Sequence, residues 1–157
     1  MSHRKLLFVC MGNICRSPVA KAIFDHALQA AGIECETDSA GTHAYHVGQP
    51  PDPRALAALR SAGIEAGTQV ARQVQVEDFQ RFDLILAMDR TNLDALERLR
   101  PAGATAELRL VMTLAPDYGL EEVPDPYYGG DEGFVRVVDM LQAAADAWVR
   151  ELVRNHR

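Results

Sequence analysis

Short, unbroken apolar runs alternate with amphipathic stretches along this chain, and that alternation leaves few architectures open. Lys5–Val9, Ile33–Ser39, Leu84–Met88 and Glu107–Val111 read as strands. The first, after Lys5, and the third are apolar throughout, as strands covered on both faces must be. Ser17-Pro18 opens a helical stretch to about Ala31, with Ser17 as N-cap, Pro18 at the first helical position and Gly32 as the stop. Asp52-Pro53 repeats that signal for a helix to about Ala62, closed by Gly63. Glu77–Phe82 reads as one helical turn, and Thr91–Leu99 as a helix stopped before Pro101. From Glu132 to the end, Phe134, Val137, Val138, Leu141, Ala145, Trp148, Val149 and Leu152 recur at helical spacing, which makes a core-facing terminal helix. The expected fold is a three-layer α/β sandwich over residues 1–157, one domain, with a four-stranded parallel sheet of order 2-1-3-4 and helices on both faces.

Composition removes other classes. Apolar residues make up 48% and charged residues 24%, ordinary values for a folded domain, so disorder and collagen-like repeats drop out. The net charge is -6 and the sixteen cations are scattered, so neither nucleic acid nor an anionic membrane is an expected partner. Leu6–Met11 is too short an apolar run for a secretory segment, and no stretch of about 18 apolar residues occurs, so a cytoplasmic protein is expected. Three cysteines, Cys10, Cys15 and Cys35, are an odd number in a chain that needs no staples, and free thiols are expected.

Between the first strand and the first helix lies Cys10-Met11-Gly12-Asn13-Ile14-Cys15-Arg16-Ser17. A loop that wraps onto a helix N-terminus turns unpaired amides and the positive dipole end toward one point, a nest for a tetrahedral oxyanion. Gly12 lets the backbone approach closely, Asn13 tolerates a left-handed conformation, and Arg16 offers a planar fork to two phosphate oxygens. Cys10, at the strand end, then faces amides, a dipole and a guanidinium, the surroundings in which a thiolate becomes a nucleophile. Ser17 can donate to its sulfur. Each residue also has a plain structural reading: an inert buried thiol, a salt-bridging arginine, a capping serine. It is their conjunction at a strand-loop-helix junction that favours chemistry.

No metal site is expected, because the cysteines are too few and His3, His26, His43, His46 and His156 show no paired ligand spacing. No Walker A lysine or G-x-G-x-x-G motif occurs either, so no cofactor is expected. The candidate proton donor is Asp125, held in Pro124-Asp125-Pro126-Tyr127-Tyr128-Gly129-Gly130, although an aspartate in such a loop also serves simply to form the turn.

Taken together, the Cys10–Pro18 loop, Asp38-Ser39-Ala40-Gly41-Thr42, Pro51-Asp52-Pro53-Arg54, Ala71-Arg72-Gln73, Leu86-Ala87-Met88-Asp89 and Asp125–Gly130 resemble the low-molecular-weight protein tyrosine phosphatases, in order across about 130 of 157 residues. The resemblance implies a flavodoxin-like fold and a protein tyrosine phosphatase acting on a phosphotyrosine protein or peptide without a metal. Cys10 would become a phosphocysteine, Arg16 and the amides of Met11 to Ser17 would hold phosphate, and Asp125 would act as acid and then base. Asn13, Ser17 and Ser39 would support the loop. Met11, Tyr45, Tyr127 and Tyr128 would wall a cleft deep enough to select an aryl phosphate, and Cys15 would guard Cys10 through a reversible disulfide. The protein is expected to be a monomer. Many animal members carry a histidine where this chain has Gln69-Val70, which leaves the outer part of the loop-supporting network open.

Two relatives of that scaffold, and one reading from a different class, compete. Thioredoxin-coupled arsenate reductases need two further cysteines downstream, and none follows Cys35. Arginine phosphatases carry a threonine where Ile14 stands and lack the paired tyrosines. An inactive phosphoanion-binding module would need neither Cys10 nor Asp125.

Overall fold

A computed structural model describes residues 5–155. The sheet has four parallel strands, β1 (Lys5–Cys10), β2 (Glu36–Gly41), β3 (Leu84–Ala87) and β4 (Glu107–Leu110), in the order β2-β1-β3-β4. Between and after them run α1 (Arg16–Ala30), α2 (Pro53–Ser61), α3 (Asp78–Arg81), α4 (Arg90–Leu99) and α5 (Asp131–Asn155). The architecture and strand order are those expected from the alternation of apolar runs. The last two residues assigned to the terminal helix, and His3 and His156, lie outside the described residues.

Period-two alternation in β1 sends its side chains into two separate cores. Leu6, Phe8 and Cys10 join α1, α2 and α5 on one face, where the Phe8 and Phe24 ring centroids lie 4.6 Å apart. Leu7 and Val9 pack with Phe79, Phe82 and Leu96 on the other. Leu6, Leu7, Phe8 and Val9 are all fully buried, and each such side chain contributes about 1.5–3 kcal/mol through loss of apolar surface to water. On α5, Phe134, Val137, Val138, Leu141, Ala145, Trp148 and Leu152 are buried, as their helical spacing requires. No helix among the described residues is long and apolar enough to cross a membrane.

Most boundaries fall within one residue of the sequence reading, and two differences change what a residue does. The second strand is shifted from Ile33–Ser39 to Glu36–Gly41. Ile33 and Cys35 pack against the core before the strand begins, so their apolar character marks the chain entering the sheet, not the ladder itself. The ladder instead takes Thr37, Asp38 and Ser39, whose polar groups find partners: Thr37 donates to Asp25, and Asp38 accepts from Arg72 Nε at 3.1 Å. The second difference is at α1, which starts at Arg16 with Cys15 in the cap position and no side-chain cap. Ser17 is therefore not the N-cap; its hydroxyl is turned toward Cys10 and Asn13. At α2 the reading holds, with Asp52 accepting from the Arg54 N–H at 2.8 Å and Pro53 in the first position.

The register Cys10↔Gly41 brings the end of β2 beneath the loop that follows β1. A Cβ built on Gly41 would lie 2.6 Å from the Met11 carbonyl oxygen, a backbone atom that cannot swing aside. Gly41→Ala is expected to cost about 1–3 kcal/mol of stability by overpacking, and to lower oxyanion affinity because the displaced backbone belongs to the loop. Denaturant unfolding together with phosphate titration checks both outcomes.

Candidate active site

The loop after β1 is held from below by one asparagine. Asn13 is 2% exposed and has φ 59°, the left-handed conformation that points successive amides to one side. Its Oδ1 accepts from the Arg72 N–H at 2.9 Å, and its Nδ2 donates to Ser17 Oγ at 2.8 Å and Ser39 Oγ at 2.9 Å. Because Ser17 accepts from Asn13, its own hydrogen is free for Cys10 Sγ at 3.1 Å, with the Ala40 carbonyl a longer alternative at 3.4 Å. Ser39 in turn donates to Gln69 Oε1 at 3.3 Å, while Gln69 Nε2 donates to the Pro18 and Ala66 carbonyls, both at 3.1 Å. The outer end of the network, left open by the sequence, is thus closed by an amide.

Arg16 is 2% exposed and lies beside this loop. Nη1 donates to Asp89 Oδ2 at 2.6 Å and to the Val123 carbonyl at 2.9 Å, and Nη2 stands 3.7 Å from Asp125 Oδ2. Burial pulls its pKa down, but the sulfur of Cys10, the hydrogen bond and charge of Asp89, and Asp125 outweigh it and hold the guanidinium above its ordinary value. Nε is buried and bonded to no protein atom, so a cation is fixed here with a buried donor unspent. Asp89 was quoted in the sequence only as the end of a motif. Its position after a buried strand and before α4, where Oδ1 accepts from the Asn92 N–H at 2.8 Å, is the signal that could have marked it as an organising residue.

Above the loop opens a cleft of about 220 Å³, lined by Cys10, Met11, Gly12, Ile14, Cys15, Arg16, Tyr45, His46, Asp125, Tyr127 and Tyr128. The structure therefore gathers every expected cleft residue at one place, with Ser39 beneath the loop. The aromatic residues are unequal. Tyr127 is half-buried and meets Tyr128 edge-on at 5.0 Å, whereas Tyr128 and Tyr45 are 94% and 70% exposed and form the rim of the cleft, not its walls. Asp125 Oδ1 accepts from the Tyr127 N–H at 3.1 Å, which turns the carboxyl inward. His46 was not singled out from the sequence. Its ring lies over Gly12, where a Cβ would meet Cδ2 at 2.9 Å, and Nδ1 is hydrogen-bonded to Gln49 Oε1 at 3.0 Å.

No disulfide joins Cys10, Cys15 and Cys35. Burial, followed by the negative charges of Asp52, Cys10 and Asp125, pushes the Cys15 thiol up to about 12, so Cys15 is a thiol at neutral pH. Among the described residues, no group of three or more His, Cys, Asp or Glu side chains is placed to hold a metal ion. What the cleft can hold is a tetrahedral oxyanion, with its charge met by Arg16 and a row of amides and its fourth substituent leading outward past Tyr127.

Comparison with known proteins agrees with that geometry. The family model described as low molecular weight phosphotyrosine protein phosphatase matches residues 5–157. A relative of that description from Schizosaccharomyces pombe is 43% identical over 145 residues, covering 88% of this chain and 92% of its own. The crystal structure of a protein tyrosine phosphatase from Entamoeba histolytica with Hepes in the active site superposes with a TM-score of 0.90 at 38% identity, covering 98% of this chain and 99% of that one. An arginine phosphatase from Drosophila superposes with a TM-score of 0.89 at 30% identity, covering 94% and 97%. A match of the family model over nearly the whole chain, with the loop, the buried arginine and the Asp125 segment all meeting in one cleft, means that this chain belongs to the low molecular weight phosphotyrosine protein phosphatase family.

Proposed function

We propose that this protein is a protein tyrosine phosphatase that hydrolyses phosphotyrosine on a protein or peptide through a phosphocysteine on Cys10. The observation that carries the reading is the floor of the cleft: Cys10 Sγ within 3.1 Å of the Ser17 hydroxyl, beside a buried guanidinium whose Nε has no protein partner. Phosphate seated on Arg16 and the amides of Met11 to Ser17 presents its phosphorus to the sulfur. The Cys10 thiolate forms an S–P bond as the P–O bond to the phenol breaks. The released electron pair goes to the phenolic oxygen, which takes its proton from Asp125. Water then attacks the phosphocysteine, giving its proton back to Asp125 as the S–P bond breaks and the pair returns to sulfur, where the Ser17 hydroxyl stabilises it. Inorganic phosphate and the free phenol are the products.

Selectivity for an aryl ester follows from depth. Cys10 is 2% exposed at the cleft floor, and Tyr127 flanks the way in, so a ring both reaches the sulfur and finds an aromatic face, whereas a phosphoserine stem is too short. Ile14, which lines the same cleft, offers no hydrogen-bonding group to a phosphoarginine guanidine. A panel of phosphotyrosine, phosphoserine and phosphoarginine peptides is expected to give turnover of the first alone, undiminished by EDTA and abolished in Cys10→Ser. Turnover of phosphoarginine in preference to phosphotyrosine overturns the assignment.

Asp125→Ala is expected to lower kcat/KM for phenyl phosphate by about 10²–10⁴, the usual worth of a positioned general acid, with a smaller loss for p-nitrophenyl phosphate, whose leaving group needs less protonation. Steady-state kinetics on the two esters measures the contrast.

Cys15 acts in the proposed scheme as a guard. After peroxide converts Cys10 to a sulfenic acid, releasing water, the Cys15 thiol displaces the hydroxyl as a second water and leaves a Cys10–Cys15 disulfide. Its raised pKa also has a consequence for stability. The unfolded chain loses the Cys15 proton near pH 9 while the folded protein keeps it to about 12, so the unfolded state binds fewer protons in that window and stability falls as pH rises through it. Cys15→Ala is expected to flatten the decline in unfolding free energy between pH 9 and 11 and to remove the peroxide-induced disulfide, read by denaturant titration and by peptide mass spectrometry.

A further inference from the structure

The Asp125 loop is fixed on either side of its carboxyl by two anchors of different kinds. On the N-terminal side Val123 is locked into the fold, its N–H donating to the Met88 carbonyl at 2.9 Å and its carbonyl accepting from Arg16. On the C-terminal side the polar anchor is a half-buried arginine. Arg54 Nη2 donates to the Tyr127 carbonyl at 3.0 Å and Nη1 to the Gly129 carbonyl at 3.3 Å. The same guanidinium holds Asp52 through two parallel contacts, Nε to Oδ1 at 3.1 Å and Nη2 to Oδ2 at 3.0 Å, and lies over the rings of Tyr127 at 5.6 Å and Phe134 at 4.6 Å. Asp52 is tied onward to the phosphate-binding loop, because its N–H donates to the Ile14 carbonyl at 2.8 Å.

A continuous path therefore runs from Ile14 through Asp52 and Arg54 to Tyr127, whose N–H sets the Asp125 carboxyl. We propose that Arg54 is a positioning residue for catalysis: it holds the proton-donor loop in register with the phosphate-binding loop, and so sets where the Asp125 carboxyl meets the leaving oxygen. The proposal rests on Asp125 being the proton donor. Only a planar fork can serve two carbonyls and a carboxylate at once while stacking on two rings; an ammonium, a point charge on a flexible stem, cannot.

A residue that acts only through the acid has a signature that general loosening of the fold lacks. When the leaving group departs readily without a proton, a displaced acid matters little; when it departs poorly, the displacement costs rate. Arg54→Met and Arg54→Lys are expected to lower kcat/KM for phenyl phosphate, which reports the step that expels the phenol, by about 10–100-fold, the scale of an ångström-size misplacement, and to change kcat/KM for 2,4-dinitrophenyl phosphate less than about threefold. Added to Asp125→Ala, Arg54→Met is expected to lower phenyl phosphate turnover no further. The lysine variant keeps the positive charge, so the experiment retains its force if the methionine variant folds poorly. Equal losses on both esters, no loss on either, or a full additional loss in the Asp125→Ala background each overturn the proposal. If Asp125→Ala itself keeps the wild-type dependence on leaving group, the proton-donor reading fails in that arm alone, and the role of Arg54 falls with it.

Discussion

The structure depends on a cation that has been taken out of water. Arg16 is buried beneath the loop that must bind an anion, and moving a guanidinium into such a place costs several kcal/mol unless its donors are met. Asp89 and the Val123 carbonyl meet two of them. These partners come from the C-terminal end of β3 and from the segment that leads to Asp125, so the charge knits together three stretches of chain far apart in sequence. Asp89 also caps α4, which ties the orientation of the guanidinium to a helix N-terminus on the opposite side of the sheet from α1. In the proposed scheme phosphate meets a fork whose orientation is already decided, the condition under which electrostatic stabilisation is most effective.

Around that charge, hydrogen bonds run in one direction. The Asn13 amide can only donate from Nδ2, so both Ser17 and Ser39 accept from it, and each must spend its own hydrogen elsewhere. For Ser39 the outlet is Gln69 Oε1, which can only accept. For Ser17 the shorter outlet is Cys10 Sγ. An amide buried between the two serines therefore orients the hydroxyl that faces the sulfur. Gln69 does not touch the cleft, yet its acceptor oxygen keeps Ser39 in the role that lets Asn13 serve both hydroxyls. A glutamine fulfils this function without a titratable group.

Most of the layer architecture was legible because it is written in local periodicity. The runs at Lys5–Val9 and Leu84–Met88 admit only doubly buried strands, and the spacing from Phe134 to Leu152 admits only a core-facing helix. The errors arose where tertiary demands override local preference. Ser17 looks like an N-cap, but a buried sulfur and an asparagine compete for its hydroxyl more strongly than the helix end does. The second strand was misplaced because Ile33 is apolar for packing, while the true ladder is polar and gets its partners from α1 and Arg72. The loop residues of the site could be named from one contiguous motif. Asp89, His46 and the clamp formed by Arg54 could not be assigned a role, because their contacts join positions 73 and 34 residues apart, or 73 and 75 for the clamp, and no local pattern encodes such pairings.

Two aspartates approach Arg16, and their surroundings differ. Both oxygens of Asp89 are engaged, Oδ1 by the Asn92 N–H and Oδ2 by Arg16 at 2.6 Å, so protonating it would break a cap or an ion pair. Asp125 accepts one hydrogen bond, from Tyr127, and its Oδ2 lies 3.7 Å from Arg16, beyond hydrogen-bond distance, with the side chain 38% exposed to the cleft. Only Asp125 has an oxygen that can carry a proton in one step and receive it in the next without dismantling its surroundings. The tighter carboxylate fixes the cation, and in the proposed scheme the looser one moves the proton while Arg54 holds its loop in place.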